Sequence, residues 1–233
     1  MVWNPWHGCR KYSEGCRHCY VYRRDDAVGR DASEVRKNKD FSLPLAIDRH
    51  GNFKIPPETV VFASMTSDFF LEEADPWREE VWDMIRLRSD LHFMIITKRI
   101  ARAAEQLPPD WGAGYDHVTL LATMENQQEA EKRLPLLLSL PAKHKQIICE
   151  PLLSAIDFHG ALTAEIEGVT VGGESGNEAR PCRFEWVLSL REQCRSAGVP
   201  FHFKQTGARF IKDGKLYRIP RPLQHAQAKK ANL

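Results

Sequence analysis

The sequence predicts an α/β fold: an incomplete or short parallel barrel of about six to seven strands. Three observations lead there. Six short apolar runs, rich in β-branched residues, recur along 233 residues. Helical spacing fills most of the gaps between them, and a polar or charged residue follows every run.

The runs are Thr59–Ser64, Leu91–Thr97, Val118–Thr123, Gln146–Cys149, Gly168–Val171 and Pro200–Phe203. Each is almost continuously apolar, as strands buried on both faces of a parallel sheet must be. A shorter piece at Val2–Pro5 makes a seventh strand, one fewer than a closed eight-stranded barrel needs. Between the runs, Asp75-Pro76 reads as an N-cap with proline at the first helical position, followed by Trp77, Val81, Met84 and Ile85 at helical spacing. Ile100–Leu107 gives a second helix. Asn126–Leu140 gives a third, interrupted at Pro135. Phe184–Cys194 gives a fourth, closed by Gly198. The stretch Ser154–Glu167 has no period.

With 42% hydrophobic and 27% charged residues, the chain buries a large core and keeps a solvated surface. No apolar run approaches the roughly 18 residues that span a bilayer, and Met1–Pro5 has neither a basic nor an apolar leader. A cytoplasmic protein with reduced thiols and no membrane partner is therefore expected. The expected division is one domain over residues 1–207 and a basic tail over 208–233, disordered from about His225. From Thr206 to Leu233 the net charge is +6, against +2 for the whole chain, so the remainder carries −4. Such a tail attracts phosphate backbones or simply remains solvated.

The densest chemical signal is Cys9, Cys16 and Cys19, half of the six cysteines within eleven residues. A Cys-x2-Cys pair points two sulfurs at one metal. A set of three argues against a disulfide. Two metals suit it: zinc, with His7 or His18 as fourth ligand, or a [4Fe–4S] cluster with one open iron. Cys149, Cys182 and Cys194 are isolated and read as small core residues.

Functional groups of parallel barrels gather at the C-terminal ends of strands. Ser64, Thr66, Ser67, Asp68, Thr97, Lys98, Arg99, Glu125, Asn126, Glu150, Gly172, Gly173, Glu174, Lys204 and Gln205 occupy those positions. Asp68 and Asn126 also read as helix caps. The Gly172-Gly173 pair reads equally as a ligand-binding loop and as a tight turn.

Trp3–Tyr20 (WNPWHGCRKYSEGCRHCY), Phe62–Phe70, Ile95–Arg99, Ala122–Ala130, Cys149–Leu153, Val171–Cys182 and Val199–Gly207 together resemble the phage Gp37/Gp68-like family, a domain of unknown function with a three-Cys motif. That family looks like part of the radical S-adenosylmethionine (SAM) superfamily, whose loop usually has three residues between the first two cysteines, where this chain has six. The resemblance implies a partial (β/α) barrel of the radical SAM type and a [4Fe–4S] cluster on Cys9, Cys16 and Cys19. It also implies SAM as co-substrate, for which the strand-end residues Ser64, Asp68, Glu125, Glu150, Gly172, Gly173 and Glu174 are the candidates. Lys98 and Lys204 are the candidates for catalysis. An electron donor, a three-Cys-motif partner protein and a nucleic-acid substrate are the partners so implied. The alternative is a zinc-stabilised module that binds nucleic acid without catalysis.

Overall fold

The structure, a computed structural model, describes residues 1–231. It has twelve strands: β1 Val2–Trp3, β2 Trp6–His7, β3 Arg36–Lys37, β4 Val60–Ala63, β5 His92–Thr97, β6 Val118–Thr123, β7 His144–Cys149, β8 Ile166–Gly172, β9 Cys182–Arg183, β10 Phe201–Gln205, β11 Arg209–Lys212 and β12 Lys215–Arg218. The six α-helices are α1 Tyr20–Asp26, α2 Asp75–Leu87, α3 Ile100–Gln106, α4 Gln127–Ser139, α5 Phe184–Ala197 and α6 Arg221–Lys230. Seven strands form one parallel sheet in the order β1-β4-β5-β6-β7-β8-β10. That order follows the chain without reversal. A doubly wound sheet reverses its strand order, whereas a (β/α) barrel does not. The topology is therefore that of a partial barrel, with all seven expected strands in place.

The chain divides into two compact units. The first comprises Met1–Lys11, Val21–Leu121 and Leu140–His144. In it β1 pairs with β4 in the register Trp3↔Ala63, and β4 with β5 in the register Ala63↔Ile95. Trp3, Val61, Ala63, Phe93 and Ile95 are buried, and Val81, Trp82 and Ile85 of α2 are buried in the same unit. Asp75 does not cap α2. Ala74 holds that position, and the Asp75 carboxylate instead pairs with Arg78 and Arg102. Two cations within reach outcompete the backbone amides that a cap would bind.

The second unit comprises Tyr12–Tyr20, Ala122–Ser139 and Lys145–Leu233. Here β7, β8 and β10 are parallel neighbours, with Cys149↔Val171 and Phe203↔Val171 in register. α4 runs unbroken through Pro135. α5 ends at Gly198 in the left-handed conformation, φ 66°, as a glycine C-cap should. Ser154–Glu167 is largely irregular, entering β8 only at Ile166.

The C-terminal part has more structure than its composition suggests. β11 and β12 form a hairpin joined to β9, and α6 covers residues expected to be disordered. Gln224 and Ala228, four residues apart, are both buried. Thr206 N–H donates to the Gln224 carbonyl, tying the helix to the chain just after β10. Tertiary burial of one helical stripe outweighs a polar composition. Asn232 and Leu233 lie outside the described residues.

Candidate functional site

The cysteine segment has two limbs, one in each unit. In the first, Gly8 has φ 93°, and a Cβ there would stand 2.2 Å from the Glu34 carbonyl oxygen, so only glycine fits before Cys9. Three successive carbonyls are then each held by a side chain. Ser67 Oγ donates to Gly8, Tyr22 Oη to Cys9, and Arg99 Nη2 to Arg10 at 2.9 Å. Cys9 N–H itself donates to Ala32 at 2.8 Å. Irregular backbone has to find its hydrogen bonds outside regular structure, and here they come from the ends of β4 and β5 and from α1.

The first unit also holds the expected residues Ser64, Asp68 and Lys98. Asp68 is buried and its carboxylate is crowded with donors: Thr97 Oγ1 at 2.7 Å, Lys98 N–H at 2.8 Å and Phe70 N–H at 3.0 Å. It clamps the ends of β4 and β5 together. Ser64 differs. It is 2% exposed, lies in the left-handed region at φ 60°, and its hydroxyl has no hydrogen-bond partner, nor has that of Thr66. A buried orphan hydroxyl on strained backbone is costly unless something binds it. His7 is engaged by Asp25 at 2.7 Å.

In the second unit, the limb Tyr12–Tyr20 carries Cys16 and Cys19, both partly exposed. Glu125, at the end of β6, is wholly buried and accepts from Ser13 Oγ and from Gly15 N–H at 3.2 Å. A Cβ on Gly15 would stand 2.9 Å from the Glu125 carboxylate, so the glycine permits that approach. Arg133 of α4, 3% exposed, neutralises Glu125 at 2.7 Å and also pairs with Glu129. Glu14 adds bonds to Asn126 at 3.1 Å and to Arg180 at 3.2 Å, and His18 lies 3.4 Å from Glu178. Asn126 also caps α4, its Oδ1 accepting from Glu129 N–H at 2.9 Å.

Gly172 and Gly173 sit against protein. A Cβ on Gly172 would stand 2.9 Å from the Glu150 carboxyl, and one on Gly173 would stand 2.2 Å from the Thr206 carbonyl oxygen. Glu174 is buried and bound by Arg180 through Nη2 at 2.6 Å, Nε at 2.9 Å and the backbone N–H at 2.8 Å. Burial alone would raise its pKa, but the Arg180 hydrogen bonds and charge, with a smaller contribution from His18, hold it below the usual glutamate value. A depressed carboxyl stabilises the fold above its unfolded pKa, and this is lost as the pH falls through its folded pKa. The Arg180→Ala variant is therefore expected to be less stable than wild type at pH 7, with the gap closing below about pH 4.5, the ordinary value. Urea melts at pH 7 and pH 4 check this, and a gap independent of pH contradicts it.

Lys204 is paired with Glu150 at 2.8 Å, and Gln205 Nε2 holds the other Glu150 oxygen at 2.7 Å. These residues, with Ser175 and the first turns of α6, line a pocket of about 580 Å³ within the second unit. Arg133, Tyr22, Arg221 and His225 carry parts of these arrangements that spacing did not reveal. Arg221 and His225 lie in the segment expected to be a basic tail.

Burial pushes the Cys182 thiol up to about 12 and Cys194 to about 11, and raises Cys149 further still. These three are core thiols. No cysteine forms a disulfide. Among the described residues, no three His, Cys, Asp or Glu side chains are grouped closely enough to hold a metal ion.

The family described as "Protein of unknown function (DUF5131)" matches residues 1–232. The chain belongs to the DUF5131 family. No curated protein and no solved structure matches it. No helix among the described residues of this DUF5131 chain is long and apolar enough to cross a membrane.

Proposed function

We propose that the protein is an iron–sulfur protein of the radical SAM type, with Cys9, Cys16 and Cys19 ligating a [4Fe–4S] cluster. The observation that carries this reading is the way both cysteine limbs are held. Ser67, Tyr22 and Arg99 fix the carbonyls around Cys9, and a wholly buried carboxylate, Glu125, fixes the loop of Cys16 and Cys19. Sinking a charge into the interior to hold a surface loop is costly, and a loop that must present thiolates gives a reason for it.

The donor chemistry fits the group: three thiols, none in a disulfide, with glycines at Gly8 and Gly15 where a side chain would clash. Thiolate ligation itself completes many metal sites, so a finished cage before binding is not required. When bound, an open-iron cluster supplies the electron that cleaves the sulfonium of SAM. The chain's own part is to bind and orient. Ser64 and Thr66, after the second strand of the parallel sheet, offer two hydroxyls without protein partners to a polar ligand. Glu174 and Arg180 brace the second cysteine limb through Glu14. Glu125 and Asp68, crowded with protein donors, act as positioning residues. The reading calls for a reducing compartment such as the cytoplasm and for an external electron donor.

The test is anaerobic purification and reconstitution with iron and sulfide, followed by visible absorption and low-temperature EPR of the reduced protein with and without SAM. A brown protein whose reduced signal shifts with SAM is expected, and Cys16→Ala should lose it. A colourless protein holding one zinc and indifferent to SAM overturns the reading in favour of a zinc-stabilised nucleic-acid-binding module.

A further inference from the structure

We propose that the second unit binds a small phosphomonoester in the pocket at the ends of β7, β8 and β10, under the first turns of α6. This goes beyond the cluster reading and uses none of the cysteines. The pocket of about 580 Å³ falls in the range of small-molecule sites, roughly 300–1,000 Å³, and exceeds what inorganic phosphate alone fills.

Its charge selects an anion. Glu150 and Lys204 neutralise one another at 2.8 Å, and Gln205 holds the second Glu150 oxygen at 2.7 Å. That leaves the exposed Arg221 guanidinium as surplus positive charge on the rim. His225 adds to it. Its Nδ1 faces the Lys204 carbonyl at 2.9 Å, an acceptor only, so Nδ1 carries the proton. Nε2 is then the ring atom left over, and it meets a ligand as an acceptor in the neutral ring and as a donor in the imidazolium. The first turn of α6 contains no acidic residue to offset the helix dipole.

Gln205 and Gln224 are walls, engaged by the protein. Gln205 Nε2 also donates to the Gly173 carbonyl, while its Oε1 accepts from Gly207 N–H at 2.7 Å. Gln224 Nε2 donates to Ile219 at 3.0 Å. The groups left for a ligand are therefore the Arg221 guanidinium, the Nε2 edge of His225 and the further N–H groups of the Glu150-paired Lys204. A phosphomonoester carries about −1.5 to −2 near pH 7 and three acceptor oxygens, which suits the forked Arg221 guanidinium with Lys204 beside it. No Phe, Tyr or Trp lines the pocket, so the large aromatic platforms on which successive nucleic-acid bases stack are missing from its lining. SAM, with its sulfonium cation, is the wrong charge for it.

The experiment is isothermal titration of the full chain with inorganic phosphate, glycerol 3-phosphate and glycerol at constant ionic strength. It is run on the metal-free protein, on reconstituted protein and on Cys16→Ala. Both phosphates should bind, glycerol 3-phosphate more tightly, and glycerol should not. Arg221→Ala and His225→Ala should each weaken binding about tenfold, and the exposed Lys132→Ala should leave it unchanged. Arg221 and His225 are exposed, so circular dichroism should show both variants folded. No binding at about 10 mM, or affinity that ignores both substitutions, overturns the proposal. Cys16→Ala should bind phosphate as wild type does, which separates failure here from failure of the cluster reading.

Discussion

Glu125→Ala is expected to lose about 3 kcal/mol of stability and most of the iron that wild type retains after reconstitution. Glu125 is wholly buried, and its removal strips the buried Arg133 of one partner while leaving Glu129 as the other. That residual pairing sets the loss at the low end of the range for a broken buried ion pair. Ser13 Oγ and Gly15 N–H lose their acceptor at the same time, so the limb bearing Cys16 and Cys19 is unmoored. Glu125→Gln keeps the shape and an acceptor oxygen but drops the charge, and should fall between the two. Urea denaturation gives the stability, and iron per chain gives the occupancy. An alanine variant within about 1 kcal/mol of wild type with full iron removes the anchor from the argument.

Gly173→Ala should cost about 3 kcal/mol or more, the upper part of the range for overpacking a filled site. The added methyl would stand 2.2 Å from the Thr206 carbonyl oxygen and 2.9 Å from Gly207 Cα. Both obstacles are backbone, so no rotamer change relieves the clash. The strand-end segments after β8 and β10 must separate, and Gly173 N–H loses its bond to the Gln205 carbonyl, now 3.0 Å. Gly168→Ala is the control in β8. Its nearest neighbour would be 3.7 Å away, ordinary contact distance, and its effect should stay within about 0.5 kcal/mol. If both variants lose equally, the contact at Thr206 is not the cause.

Much of the fold was legible because parallel strands and their covering helices announce themselves locally. Val118–Thr123 and β6 coincide residue for residue, and the other apolar runs lie within two residues of their strands at either end. Gly198 closed α5 as its position implied. The elements missed are those whose local signal is weak: α1, over Tyr20–Asp26, carries four charged residues in seven, and β9 is only two residues long. α6 lies in the segment expected to be a basic tail, where a surplus of Lys and Arg and the low complexity from His225 onward hide its helix.

For the site, the three cysteines and the strand-end polar residues were visible as residue types, but their partners were not. The Gly172-Gly173 pair reads in sequence as a ligand-binding loop or a tight turn, and neither reading names the neighbours it meets, Glu150 and Thr206, both distant in sequence. Arg133 could not be recognised as the counter-charge of Glu125 from a spacing of eight, because only burial makes that pairing compulsory.

By itself the sequence determined the strands of the parallel sheet, the helices α2 to α5 among them, and the place of Cys9, Cys16 and Cys19 before the first long strand. Hydrophobic period and cap chemistry are properties of neighbouring residues, and they survive without a fold. Only the tertiary structure decided which polar groups are engaged and which are left over. It engaged Asp68 and Glu125 with protein donors, left the Ser64 hydroxyl buried without one, and brought Arg221 and His225 beside Lys204. The physical reason is that a polar side chain's role is fixed by the donors and acceptors around it once water is excluded. Those come from strands and helices far apart in the chain.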